Sequence, residues 1–124
     1  MPIIPVRFDV LERTTPRYSA TIVDDQGVAI SSANLSTITL TLYEKKTGSI
    51  VNSRDEQNVK NANNVTIDAS GVLVWSIQVA DLVMVNTNNT NETHVALFEW
   101  TWDAGTKSGK HEVELAVKNL TKVP

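Results

Sequence analysis

Thr37-Ile38-Thr39-Leu40-Thr41-Leu42-Tyr43 carries the clearest alternation in the chain: Ile38, Leu40 and Leu42 fall on one side, the threonines and Tyr43 on the other. A period of two with polar β-branched residues on one side marks a strand with one buried and one wet face. The same period recurs on either side of it. Tyr18, Ala20 and Ile22 alternate with Arg17, Ser19 and Thr21, and Leu73, Trp75, Ile77 and Val79 share one face of a later run. Residues 92–103 and 110–119 read as a last hairpin in which Ala96, Phe98 and Trp100 can face Val113, Leu115 and Val117. Its simplest register sets Glu99 opposite Glu114, a mildly unfavourable pair, so a shifted pairing is an open alternative. Shorter runs at 28–30, 49–52 and 65–67 complete the set.

Punctuation supports this reading. The five glycines close short polar stretches such as Asp24-Asp25-Gln26-Gly27 and Lys45-Lys46-Thr47-Gly48, and Gly109 reads as the end of one more. Glycine supplies the positive φ of tight turns, while proline removes a ladder donor and is kept out of central strands. The four prolines are Pro2, Pro5, Pro16 and Pro124, so residues 17–123 are free of the strongest sheet breaker. The expectation is an all-β protein, an immunoglobulin-like antiparallel sandwich of about seven strands over residues 17–124. A small closed barrel fits the same strands, and the cysteines of antibody domains are absent. Residues 1–16 hold three of the prolines together with Ile3, Ile4, Val6, Phe8, Val10 and Leu11. They read as an extended N-terminal arm, either an edge strand of its own sheet or a latch for a neighbour; the latch, with Ile3, Ile4, Val6 and Phe8 as the partner-binding residues, is the expectation.

The chain has 124 residues, a net charge of −3 and no cysteine. One domain of this length buries roughly two-thirds of its unfolded surface. The few basic residues are scattered, which disfavours nucleic acid as a partner, and no stretch approaches the apolar length of a membrane span. Met1-Pro2-Ile3-Ile4-Pro5, followed by Asp9, breaks before any adequate apolar run and gives no secretory signal. The Asn-X-Ser/Thr tripeptides at Asn34, Asn64, Asn88, Asn91 and Asn119 therefore read as products of a composition rich in Asn, Ser and Thr.

Catalysis needs a nucleophile or a metal with a positioned base. The two histidines, His94 and His111, fall near opposite ends of the last hairpin, too far apart to share a metal. Asp24, Asp25, Asp68, Asp81 and Asp103 mostly occupy turn positions, where a short carboxylate caps the local backbone. No phosphate-loop, dinucleotide-binding or nucleophile-elbow motif occurs, so no enzyme, cofactor or metal site is expected. Trp75 reads as core. Trp102, beside the turn, is the aromatic that could stack on a sugar ring, although packing under the 103–110 loop is the preferred reading.

Ile50-Val51-Asn52-Ser53-Arg54-Asp55, Asn58-Val59, Asn63-Asn64-Val65-Thr66 and Gly71-Val72-Leu73-Val74-Trp75 form a pattern that continues through Asp81. It runs on through Glu92-Thr93-His94-Val95-Ala96-Leu97-Phe98, Trp100-Thr101-Trp102 and Gly109-Lys110-His111-Glu112-Val113. Over roughly residues 17–120 it resembles small immunoglobulin-like virion proteins of tailed bacteriophages, and distantly the N-terminal domain of phage baseplate proteins. The resemblance implies a non-enzymatic structural protein, assembled in the host cytoplasm and present in many copies in the virion. Its implied partners are other virion proteins, major capsid or tail proteins, and further copies of itself. Capsid decoration, the head–tail junction and the tail or baseplate are all places it allows. A glycan- or receptor-binding module at the phage tip is the alternative.

Overall fold

The computed structural model describes residues 6–119. Eight strands form two sheets: β1 (Val6–Leu11), β2 (Arg17–Thr21), β3 (Leu35–Glu44), β4 (Gln57–Asn58), β5 (Val65–Ile67), β6 (Val72–Ser76), β7 (Asn91–Trp102) and β8 (Lys107–Lys118). One sheet runs β1-β8-β7-β3-β4 and the other β2-β6-β5. With β2, β3, β5, β6, β7 and β8 taken as strands B to G, the sheets read G-F-C and B-E-D, the immunoglobulin connectivity. The protein is a β-sandwich, and the barrel alternative falls. The one helical element among the described residues is a 3-10 turn, Val79–Leu82; no helix there is long and apolar enough to cross a membrane.

The alternation at 37–43 plays out as read. Ile38, Leu40 and Leu42 are fully buried between the sheets, and Thr37, Thr39, Thr41 and Tyr43 face outward. Leu73, Trp75 and Ile77 from the opposite sheet meet Ala96, Phe98, Val113, Leu115 and Val117 there. The Trp75 and Phe98 rings pack edge to face, with centroids 5.7 Å apart and planes at 78°, a favoured geometry for aromatic quadrupoles.

Four features depart from the sequence reading. Strand β6 stops at Ser76, and Val79, expected on the core face, opens the 3-10 turn and is exposed. Residues 28–30 and 49–52 supply isolated bridges, Val23 to Ala29 and Tyr43 to Ile50, rather than strands. The last hairpin is tighter than expected, with Trp102 opposite Lys107 and Glu99 opposite Lys110 instead of Glu114. That register replaces a repulsive pair by an attractive one, Lys110 Nζ lying 3.5 Å from Glu99. The fourth departure is Gly109, which closes no turn. It lies within β8 opposite Trp100, and a Cβ there would come within 2.8 Å of the Trp100 indole. Glycine is needed at this position for the space it leaves. Gly71 is a turn glycine as read, with φ +79°, and a Cβ would press to 2.7 Å from the Ile30 carbonyl.

Candidate interaction surface

Residues 6–11 of the expected arm form β1, an edge strand parallel to β8, with Val6 opposite Val113 and Leu11 opposite Lys118. The reading of 1–16 as an arm free of its own sheet therefore gives way to the edge-strand alternative at these residues, and the sheet partner is parallel rather than antiparallel. The physical reason is that β8 offers an open ladder along its outer side that an extended segment can fill. Arg7 fastens the strand: its guanidinium donates to Glu114 at 3.0 Å, and Lys45 donates to the other Glu114 oxygen at 2.8 Å. Hydrogen bonding from Lys45 foremost, with Arg7 adding to it, holds the Glu114 carboxyl below the usual range despite its burial. Of the expected partner-binding residues, Val6 and Phe8 stand in β1 opposite Val113 and Leu115; Ile3 and Ile4 lie outside the described residues.

Among the described residues, strand β2 ends the other sheet and pairs with β6 alone. Its register, together with the bonds from Ile77 N to Pro16 O and from Ile22 N to Gly71 O, turns the backbone groups of Tyr18 and Ala20 toward β6. In an antiparallel ladder the intervening residues, Arg17, Ser19 and Thr21, then point their N–H and C=O groups away from the sheet. Across from this edge runs the part of β8, Lys107 to Glu112, that precedes the pairing with Val6–Leu11. The seam is bridged by Tyr18, whose ring stacks on His111 at 5.9 Å and whose hydroxyl is hydrogen-bonded to His111 Nε2. Burial lowers the His111 pKa and raises that of Tyr18, which keeps both rings neutral. Beside the pair lies a mostly apolar cavity of about 130 Å³, lined by Ala20, Ile22, Leu73, Phe98 and Trp100. Trp100 is fixed there by a bond from its Nε1 to the Val23 carbonyl at 3.2 Å.

Trp102 is half-buried, packed on the rim of the core. It borders an open cleft of about 490 Å³ with Asn34, Asp103, Ala104 and Lys107 at the hairpin tip. Phe8 is level with Leu115 and Trp102 with Lys107, eight steps along β8 or roughly 26 Å apart at strand rise. The structure thus does not gather the sequence-derived candidates into one site. His94 lies opposite Leu115 and His111 opposite Phe98, four ladder steps from each other. Among the described residues no three His, Asp or Glu side chains come together to hold a metal.

What the sequence reading missed is a polar layer under the core. Arg54 is buried and uses all five N–H groups: Nε and Nη2 donate to Asp81 at 2.6 and 3.2 Å, Nη2 to Asn64, and Nη1 to Gln57 and the Asn63 carbonyl. Asp81 also accepts from Asn52 and from the Gln78 amide. Its own carbonyl faces His94 Nδ1 at 3.4 Å, and His94 Nε2 donates to Glu92 at 2.9 Å. Glu92 further accepts from the Val85 and Asn86 amides and from Asn89. Burial pushes the Glu92 carboxyl up, but these donors outweigh it and hold the pKa below the ordinary range. Asp81 is therefore a buried anchor, and His94, placed by the sequence near an end of the last hairpin, is fully buried.

A scan against models of protein families finds none that matches the chain, and a search of curated proteins finds no relative.

Proposed function

We propose that the protein is a non-enzymatic structural component of a tailed-bacteriophage virion, docking in many copies on major capsid or tail proteins. The reading starts from the resemblance over residues 17–120 and is supported by the β-sandwich. One observation carries it: the buried polar side chains are spent on scaffolding. Glu44 accepts from the amides of Lys46 and Thr47 in its own turn, Asn119 donates to the Thr87 and Asn89 carbonyls, and Glu114 clamps Arg7 and Lys45. Arg54, Asp81, Glu92 and His94 tie long connections to the sheets. In active sites, by contrast, perturbed groups keep hydrogen-bonding capacity for substrate; Glu92, though it borders a cleft with Glu44 and Lys45, spends both carboxylate oxygens on the Val85 and Asn86 amides, Asn89 and His94.

The test is the composition of purified particles made from the genome that carries the gene. Antibody labelling and quantitative mass spectrometry should find the protein in many copies per particle, and its absence from washed particles would sink the reading. A second reading, a glycan- or receptor-binding module, is favoured by Trp102 at its open cleft. Binding on a glycan array that Trp102→Ala abolishes would support it, since sugar rings stack on exposed indoles.

A further inference from the structure

We propose that β1 is an exchangeable strand: Val6–Leu11 of one copy leaves its own β8 and pairs with the β8 of a second copy, and the two copies are joined by the exchange. This goes beyond the virion reading and is tested on the purified chain, so the two stand or fall separately.

The first ground is how the strand is held. It lies at the end of its sheet and, among the described residues, pairs with β8 alone. Of its described side chains Val10 enters the core, while Arg7, Asp9 and Leu11 are exposed. The ladder from Val6–Val113 to Leu11–Lys118 and the Arg7–Glu114 ion pair at 3.0 Å reform unchanged when the same strand arrives from another copy. That fixes the occupant: the outer side of β8 is already fitted to this sequence, and a second copy supplies it. Exchange of an identical element is a low-cost route to a dimer, because the closed and exchanged forms share their contacts.

The second ground is the hinge. Five residues, 12–16, join β1 to β2 in the other sheet. Thr14 and Thr15 are β-branched, and Pro16 pushes the residue before it toward extended backbone. In the closed chain the hinge is instead folded by a turn in which Arg13 has φ +56°. An arginine there has neither the freedom of glycine nor the short, locally bonding side chain of Asn or Asp. Extending the hinge releases that strain, and short hinges under strain invite exchange. Closure gives little in return. The Arg13 amide donates to the Leu82 carbonyl at 3.3 Å, and Thr14 Oγ1 donates to the Leu11 carbonyl at 2.7 Å in an exposed bond that water can replace. Extended, the five residues span roughly 17 Å, enough to reach a copy lying against the same end of the sandwich.

The Arg7–Glu114 clamp provides the test in the full-length protein. Arg7→Glu and Glu114→Arg each set like charges against one another within a copy. Mixed in equal amounts, the two variants regain opposite charges at both clamps only by exchanging strands. Native mass spectrometry should show the mixed dimer at least about tenfold above either same-variant dimer. The hinge is tested apart from the clamp, by sedimentation. Arg13→Pro fixes φ at about −65°, which forbids the closed turn, and should be dimeric. Arg13→Gly relieves the strain and should weaken the wild-type dimer about fivefold per hinge. Neither the mixture nor Arg13→Gly depends on whether the proline variant folds. A mixture without excess of the mixed dimer, a folded but monomeric Arg13→Pro, or equal dimer formation by Arg13→Gly and wild type would each overturn the proposal.

Discussion

Strand β7 passes through two interiors. Ala96, Phe98 and Trp100 point into an apolar layer whose partners are Leu40, Leu73, Trp75 and Val113. Glu92 and His94, on the same inward face and equally buried, point into a layer of carboxylates, amides and one guanidinium. The apolar layer holds the sheets together without direction. The polar layer holds named loops: Arg54 ties the connections on either side of β4, and Asp81 and Glu92 tie the crossover from β6 to β7. Burial alone therefore says little about how a residue works; the former layer tolerates changes of shape poorly, the latter changes of charge.

The apolar layer should break hardest under truncation. Trp75→Ala or Phe98→Ala is expected to cost about 3–5 kcal/mol, since a large buried ring leaves a cavity. Chemical denaturation measures it, and a loss below about 1 kcal/mol at both positions would mean the faces are assigned backwards. Trp75 also bounds the polar layer, for the Arg54 guanidinium lies 5.9 Å from its ring centroid. Its Nε1 has no partner among the described residues.

The polar layer should break when one charge is left alone. Asp81→Ala strands the Arg54 guanidinium and is expected to cost about 3 kcal/mol or more, while replacing both residues by apolar ones of similar volume costs less than either single change. A double-mutant cycle reads the difference. If the double variant is as unstable as the sum of the singles, Arg54 and Asp81 do not act as a pair.

Acid sharpens the contrast further. Glu92 has a lowered pKa in the fold, so its contribution is fully present above the unfolded value near 4.3 and is lost as pH falls through the folded value. The expected loss is about 2 kcal/mol, the scale of hydrogen bonds to a charged acceptor. Denaturation midpoints followed down in pH should show it, and Glu92→Gln should flatten that part of the profile. A wild-type slope retained by the variant would assign the effect to Glu114 instead. The smallest effect belongs to the seam: Tyr18→Phe removes one hydrogen bond to neutral His111 and should cost about 1 kcal/mol. A thermal melt that does not move would leave the ring stack as the whole of that contact.

These two layers were unequally legible. The apolar one announces itself by period, and Ile38, Leu40, Trp75 and Phe98 all face inward as their alternation predicts. The polar one breaks the link between polarity and exposure on which such reading depends. Asp81 sits 27 positions from Arg54, and a histidine near a strand end, one residue removed from a glutamate, carries no local sign of burial. The seam escaped for another reason: the place of a strand in its sheet is a property of sheet order, and no local pattern in Arg17–Thr21 marks it. The pairing of β1 was obscured by Pro5 before it and Pro16 after it, which argue against a central strand and leave an edge or an arm open. Gly109 was misread because glycine serves close packing as well as turning, and only the Trp100 ring distinguishes them.

The parallel pairing of β1 with β8 also bears on the order in which the molecule can form. Arg7 and its partner Glu114 are 107 positions apart, so the ribosome must deliver almost the whole domain before the first strand finds its place. Contacts between distant segments slow folding, because a long loop must close before any bond rewards it. The β7-β8 hairpin, and then β3 beside β7, pair over shorter separations. The N-terminal strand then zips on last, a clasp shut on an assembled sheet; until it closes, the outer side of β8 stands open to any extended chain that passes.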